Sequence, residues 1–451
     1  MRSTLPFTLH NCFAVARDEA EIQSLLNNDI YKFLMLDFIL AHPEYRKIEV
    51  KWKMKVRNKD IHLANVIPES ALREQLDAAK ALPGLSQADI SYLRGMVTNT
   101  GKPLLNEQTL MFLKDFHLPD YHLEADNKDG YDLTFTGPWE TSIMWEILGL
   151  KIINTLYLYH YTKKAKLTPS EFNGIMTKVF GRLYDDIDVV KSHQNVTFSE
   201  FGTRRSASTD IHRMVLEILN SELPEQCIGT SNVMLAKEFG QNNPRGTNAH
   251  ELRMIPTAMV DEPQEIIDTM YRIDREWMKH NPELAILLPD TFGTSFYLQH
   301  APDDIIQGHI GMRIDSKNPL IAVPEYVNWL IGHGQDPKTK LVIPSDGLDA
   351  QSLVDITQKC SSQVGILTGG WGTNLTNNTK GTMPINKEIF GPFGSFSVVI
   401  KPEAVYRPGR GWVSTVKLSD NPTKATGSDE RVNLFKKTFG VEGMEAQEVS
   451  V

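Results

Sequence analysis

Asn195-Val196-Thr197-Phe198-Ser199 runs directly into Glu200-Phe201-Gly202-Thr203-Arg204-Arg205, and the segment beyond places Ile211, Met214, Val215 and Ile218 on one stripe. A short apolar strand, a loop of small and charged residues and an amphipathic helix make one strand–helix unit. Parallel strands need such long crossovers, so the unit predicts a parallel sheet. The order recurs. Cys227-Ile228 leads into Gly229-Thr230-Ser231-Asn232, a helix through Leu235 and Phe239, and the loop Gly246-Thr247-Asn248-Ala249-His250-Glu251. A helix with Ile266, Ile267, Met270, Ile273 and Trp277 precedes a strand from Ala285 to Leu288 that ends at Asp290. A strand from His309 to Ile314 ends at Asp315-Ser316, and one from Leu341 to Ile343 ends at Ser345-Asp346-Gly347. After a helix bearing Leu353, Ile356 and Cys360, a strand from Val364 to Leu367 reaches Gly369-Gly370-Trp371-Gly372-Thr373. About six or seven such units predict a closed or nearly closed α/β barrel, with its active site at the strand C-termini.

Outside this region the rhythm changes. Residues 47–56 alternate basic and apolar side chains, a half-buried strand, and Asn106 to Phe116 reads as a helix with Asn106 at its N-cap. After Thr376, Pro384, Gly391, Pro392 and Gly394 mark a loop-rich boundary, and Phe396 to Ile400 and Trp412 to Leu418 return to strands. The predicted organisation is an N-terminal α+β domain (1–160), a barrel (161–385) and a C-terminal segment (386–451) that packs back onto the first domain. At 451 residues the chain suits one large and one smaller unit.

Composition narrows the function classes. A hydrophobic share of 41% argues against disorder, and a charged share of 23% argues against a membrane protein. The longest apolar stretch, Ser142 to Tyr161, is interrupted by Glu146, Lys151 and His160, which predicts a buried helix rather than a span. The first residues lack the continuous apolar core of a secretory signal, being punctuated by Arg2, His10, Asn11, Arg17 and Asp18. Cys12, Cys227 and Cys360 form no CxxC pair, which fits a reducing cytoplasm. The net charge of -9 offers no global positive field for nucleic acid. Any anionic ligand must be small and held in a pocket.

Several loops carry chemistry. Glycines at 369–372 let backbone N–H groups approach an anion, although the same residues also read as a plain tight turn. Asp346 suits a ribose hydroxyl or hydrated metal, or equally a helix N-cap. Arg204 and Arg205 can fork onto phosphate or carboxylate, or form a solvated pair. Phe201 offers a ring for stacking or for the core. His250 can serve as nucleophile or base with Glu251 orienting its ring, or as an ordinary hydrogen-bonding histidine. Arg313 and Asp315 suit a charged ring substituent and a ribose diol, or a structural ion pair.

At these residues the chain resembles the nicotinate phosphoribosyltransferases. The resemblance runs from Asn28-Asp29-Ile30-Tyr31-Lys32 through the loops quoted above to Lys417-Leu418-Ser419-Asp420-Asn421-Pro422, covering most of the chain. It implies a type II phosphoribosyltransferase fold, an irregular α/β barrel beside an α/β sandwich built from both chain ends, and a homodimer with shared active sites. The implied reaction joins nicotinate to phosphoribosyl pyrophosphate, with ATP hydrolysis coupled through a phosphohistidine at His250 and with Mg2+ held mainly by the substrate phosphates. Catalysis would fall to His250, Asp315 and Arg204. Phe201 and Tyr31 of the partner subunit would sandwich the pyridine. Arg204 and Arg313 would sit near its carboxylate and the phosphates, Asp315 near the ribose, Gly370, Gly372 and Thr373 would receive the phosphate group, and Gly347 would also bind substrate. Ser231 stands where nicotinamide-using relatives carry an aspartate. Trp371 and Asn374 depart from the family pattern, Asn374 standing where many relatives have arginine. The competing readings are a nicotinamide phosphoribosyltransferase and a barrel that binds a sugar phosphate without turnover.

Overall fold

The computed structural model describes residues 19–241, 243–383, 393–394 and 396–445. Cys12, Pro384, Gly391, Pro392 and the predicted boundary at 385/386 lie outside the described residues, as do the N-terminal residues that bear on export. In β1 (Glu49–Val56) Val50, Trp52 and Met54 are buried while the lysines between them are not, because successive strand residues face opposite sides. β2 (Tyr121–Ala125) and β3 (Tyr131–Pro138) follow in the N-terminal part. The middle of the chain contributes β4 (Phe198–Glu200), β5 (Cys227–Thr230), β6 (Ile286–Leu287), β7 (Gly311–Ile314), β8 (Leu341–Pro344), β9 (Ile366–Leu367) and β10 (Gly369–Trp371). β11 (Val398–Arg407) and β12 (Gly411–Ser414) lie in the tail.

The two chain ends share one antiparallel sheet of order β12-β11-β1-β3-β2. β11 runs beside β1 from Val405, opposite Val50, to Val398, opposite Val56, with a bulge between Lys51 and Trp52. The helix Trp145–Lys164 lies on this sheet, buried almost all round. Gly149 permits the close approach, since a Cβ there would stand 2.7 Å from Ile400 Cδ1. Two of its three interruptions are paired: Glu146 meets Lys32, and Lys151 donates to Ser206 Oγ at 3.0 Å. Among the described residues no helix is long and apolar enough to cross a membrane.

The middle strands are all parallel and form two sheets, β10-β4-β5 and β6-β7-β8-β9. Only Thr368 separates β9 from β10, and Ser345 bridges to Gly370, so one edge of the second sheet continues into the first. Across the other seam runs 245–248, with Arg245 N–H donating to Thr230 O at 2.8 Å and Asn248 Nδ2 to Ile286 O at 3.5 Å. The result is an irregular parallel barrel. Two expectations change in detail. Gly369–Trp371 is a strand rather than a loop, because its backbone completes the ladder with β4. Asn106 stands at the N-cap of the helix Glu107–Lys114, but its amide donates to Asp37 at 2.7 Å instead of capping.

Candidate active site

The C-terminal ends of the barrel strands open onto one cavity, roofed by β11 and the segment around Tyr31. Phe201, Ser231, His250, Arg313, Asp315, Gly347, Gly370, Gly372 and Thr373 all line it, together with Arg204 and Tyr31. Position follows from topology, since parallel strands deliver their following loops to the same end.

Phe201 is held on both sides. Its N–H donates to Trp371 O at 2.7 Å, and a Cβ on Gly370 would come within 2.7 Å of the Phe201 ring. Beneath it, fully buried Glu200 accepts from Gly202 N–H and from Thr230 Oγ1 at 2.5 Å, and lies 2.9 Å from His212 Nε2. Trp371 leaves the cavity free, since it packs inward on Phe198 with ring centroids 5.1 Å apart. Asn374 Nδ2 donates to Leu348 O at 3.0 Å.

Tyr31 enters the cavity of its own chain, in place of Tyr31 of the partner subunit implied by the resemblance. The cause is local: Ile30 N–H donates to Ser231 O at 2.8 Å, Asp29 bridges to Asn232, and Ser231 Oγ donates to Asp29 Oδ1 at 2.6 Å. Ser231 is thereby committed to Asp29.

His250 stands at the start of the helix Glu251–Thr257. Its Nε2 lies 2.9 Å from Asp315 Oδ2 and 2.7 Å from Lys417 Nζ, and its Nδ1 lies 3.1 Å from Thr291 Oγ1. The Lys417 ammonium can only donate and the Asp315 carboxylate can only accept, so Nε2 stands between two partners that ask opposite roles of it. Burial and then the Lys417 charge push the imidazole pKa down to about 4. Burial works against the charge of Asp315, but Arg313 and the contacts with His250 and Lys417 hold its carboxyl well below the usual range. Asp290 accepts from Ser316 Oγ at 2.6 Å and lies 3.4 Å from Lys417 Nζ. Thus a neutral imidazole sits among two carboxylates and two cations.

Glu251 does not orient His250. Its carboxylate pairs with Lys32, which also meets Glu146 Oε2 at 2.6 Å, because neighbouring helical residues project about 100° apart. The groups within hydrogen-bonding distance of the His250 ring are Thr291, Asp315 and Lys417. Asp346 is not the cap either: Asp349 accepts from Ser352 N–H at 2.7 Å, while Asp346 pairs with Lys424.

Basic side chains gather at this cavity: Arg57 just beyond β1, Arg205 in the loop after β4, Lys401 on β11 and Lys424 in the tail all line it. Burial, then Lys417, Arg57 and Arg204, hold the Lys401 ammonium well below its ordinary pKa. The helix Thr373–Thr376 has only four residues, so these side chains, more than a helix dipole, make the region attractive to phosphate.

Comparisons with known proteins show the family and the fold. Residues 196–443 match the model of the nicotinate phosphoribosyltransferase (NAPRTase) family, and residues 26–154 match that of the NAPRTase N-terminal domain. The crystal structure of nicotinate phosphoribosyltransferase from Porphyromonas gingivalis is similar at 25% identity and a TM-score of 0.79, covering 93% of this chain and 100% of that one. The Vibrio cholerae nicotinate phosphoribosyltransferase structure is similar at 27% identity and a TM-score of 0.78, covering 94% and 95%. The fold is shared as well with a putative nicotinate phosphoribosyltransferase from Saccharomyces cerevisiae, at 22% identity and a TM-score of 0.75, covering 94% and 99%. Both parts of the chain, the shared sheet and the barrel with its His250 loop, therefore point to one conclusion: the chain belongs to the nicotinate phosphoribosyltransferase (NAPRTase) family.

Proposed function

We propose that this cavity joins nicotinate to 5-phosphoribosyl 1-pyrophosphate, giving nicotinate mononucleotide and pyrophosphate for NAD biosynthesis, with ATP hydrolysis coupled through a phosphorylated His250. The pyridine nitrogen forms a bond to ribose C1 as the C1–O bond breaks and its electron pair leaves on pyrophosphate. Phe201 and Tyr31 line the place for the flat ring, and Asp315 supplies negative charge for the ribosyl centre. In the coupled step a lone pair of neutral His250 takes the γ-phosphoryl group of ATP and ADP leaves. Lys417 and Arg313 then offset the added charge. The observation that carries this reading is the His250 cluster, a neutral imidazole between Asp315 and Lys417 in the same cavity as the two aromatic rings.

His250, Asp290 and Asp315 place ligand atoms within 4.8 Å of one another, which invites a metal. Lys417 already lies 3.4 Å from Asp290 and 3.8 Å from Asp315, so these residues make no closed oxygen cage for a hard cation. Asp315, the more open carboxylate, would meet a Mg2+ that arrives on substrate phosphates. Such an ion would neutralise charge on the leaving pyrophosphate.

Two consequences follow from the geometry. Gly370→Ala is expected to raise the KM for nicotinate about tenfold by displacing the Phe201 ring, the scale of losing one well-placed aromatic contact; an unchanged KM in steady-state assays would contradict it. Because the His250 pKa lies at about 4, phosphorylation by ATP should stay near its maximum from pH 8 down to about 5. A free histidine would lose half its nucleophilic form at about pH 6.5, so a fall centred there would refute the neutral, shielded ring.

The functional test is product analysis with phosphoribosyl pyrophosphate and Mg2+, giving nicotinate or nicotinamide in parallel. Nicotinate mononucleotide should dominate. A second reading, turnover of nicotinamide, draws on Asp29, whose cavity-lining carboxylate suits an amide NH2. Equal or better turnover of nicotinamide would establish it.

A further inference from the structure

Ser231 alone cannot hold a substrate carboxylate, because its hydroxyl is donated to Asp29 at 2.6 Å. Asp29 also lines the cavity, and its charge would repel a carboxylate placed beside it. An acid-selective site therefore needs a cation at this end. The two arginines that the resemblance puts near the carboxylate are committed: Arg204 Nη1 lies 3.4 Å from Glu146, and Arg313 bonds Asn248 O at 3.1 Å and lies 3.5 Å from Asp315.

Arg245 differs. It lines the cavity immediately before Gly246, where a Cβ would stand 3.4 Å from Tyr31 N and 3.6 Å from Tyr31 Cβ, so its backbone abuts the aromatic wall. Its own N–H donates to Thr230 O at 2.8 Å, one residue before Ser231. Its side chain is fixed near the root, with Nε donating to Ile228 O at 2.9 Å and the stem crossing Gly229, where a Cβ would lie 3.3 Å from Arg245 Cγ. Gly229 also has φ +135°, a region that other residues rarely adopt. The two terminal nitrogens carry no hydrogen bond or ion pair among the described residues.

We infer that Arg245 recognises the carboxylate of the pyridine substrate by a guanidinium fork at the rim beside Tyr31, and so sets the preference for the acid over the amide. This inference rests on the nicotinate reading above. Arg245 touches substrate, not the reacting bond, so its loss acts on binding. Its exposure makes Arg245→Ala compatible with folding, which a thermal melt checks.

The test measures kcat and KM for nicotinate and the inhibition constant of nicotinamide in the wild type, Arg245→Ala and Arg245→Lys. Arg245→Ala should raise the KM for nicotinate about tenfold or more, the scale of one charge-assisted pair at a solvent-facing rim, with kcat changed far less. Arg245→Lys should fall between, because a lysine keeps the charge and loses the fork. Nicotinamide inhibition should move less than twofold. A nicotinate KM that stays within twofold in Arg245→Ala overturns the inference while leaving nicotinate turnover standing. If the wild type makes no nicotinate mononucleotide, the functional reading and this inference fall together.

Discussion

Replacing Asp315 by asparagine is expected to lower kcat by about a hundred- to a thousandfold, the range seen when one preorganised charge is removed from a developing cationic centre. The carboxylate serves several partners at once. It lies 2.9 Å from His250 Nε2, 3.5 Å from Arg313 Nη2 and 3.8 Å from Lys417 Nζ, and accepts from Ser345 Oγ at 3.1 Å. Asparagine keeps the shape and removes the charge. Arg313 would then lose its acidic partner and Lys417 would keep only Asp290, so their net positive charge would draw electron density from the imidazole and repel positive charge at ribose C1. Steady-state assays with saturating substrates read the effect, and a kcat within fivefold of wild type would show that Asp315 is only a structural partner.

Lys32→Met should have the largest effect on stability, a loss of about 3–5 kcal/mol, as found when one member of a buried ion cluster is removed. Lys32 is fully buried, reaches Glu146 and Glu251 together and lies 4.9 Å from the centre of the Trp52 ring. Methionine fills the space, leaves buried Glu251 without its cation and leaves buried Glu146 with Arg204 alone. In the variant their folded pKa values would rise above the unfolded ones, so the deficit is largest near neutral pH and shrinks as pH falls and they take up protons. Urea unfolding at two pH values measures this. A loss below about 1 kcal/mol would mean that the pair behaves like an exposed one.

The barrel was legible because strand and helix periods alternate plainly from Val196 onward, and parallel topology then dictates which loops share an end. The cavity accordingly collects Phe201, Ser231, His250 and Asp315 from separate loops. The partners of His250 were less legible. Lys417 lies 167 residues away on the returning tail, and no local pattern ties it to that loop. Glu251 looked the natural neighbour, yet helical geometry turns it toward Lys32. The cations Arg57 and Lys401 sit on β1's extension and on β11, strands whose alternation reveals a sheet but not which end overlooks the barrel. Tyr31 shows the same limit, since the long-range ties of Asp29 and Ile30 to Ser231 and Asn232 bring it to the cavity of its own chain.

The decisive measurement is the yield of ADP and of acid-labile phosphate when wild-type protein turns over nicotinate and phosphoribosyl pyrophosphate with labelled ATP and Mg2+. The expected result is about one ADP released for each nicotinate mononucleotide formed, with the label on the peptide containing His250, as stoichiometric coupling through one nucleophile requires. Nicotinate mononucleotide made at full rate with no ADP and no labelled His250 would contradict it.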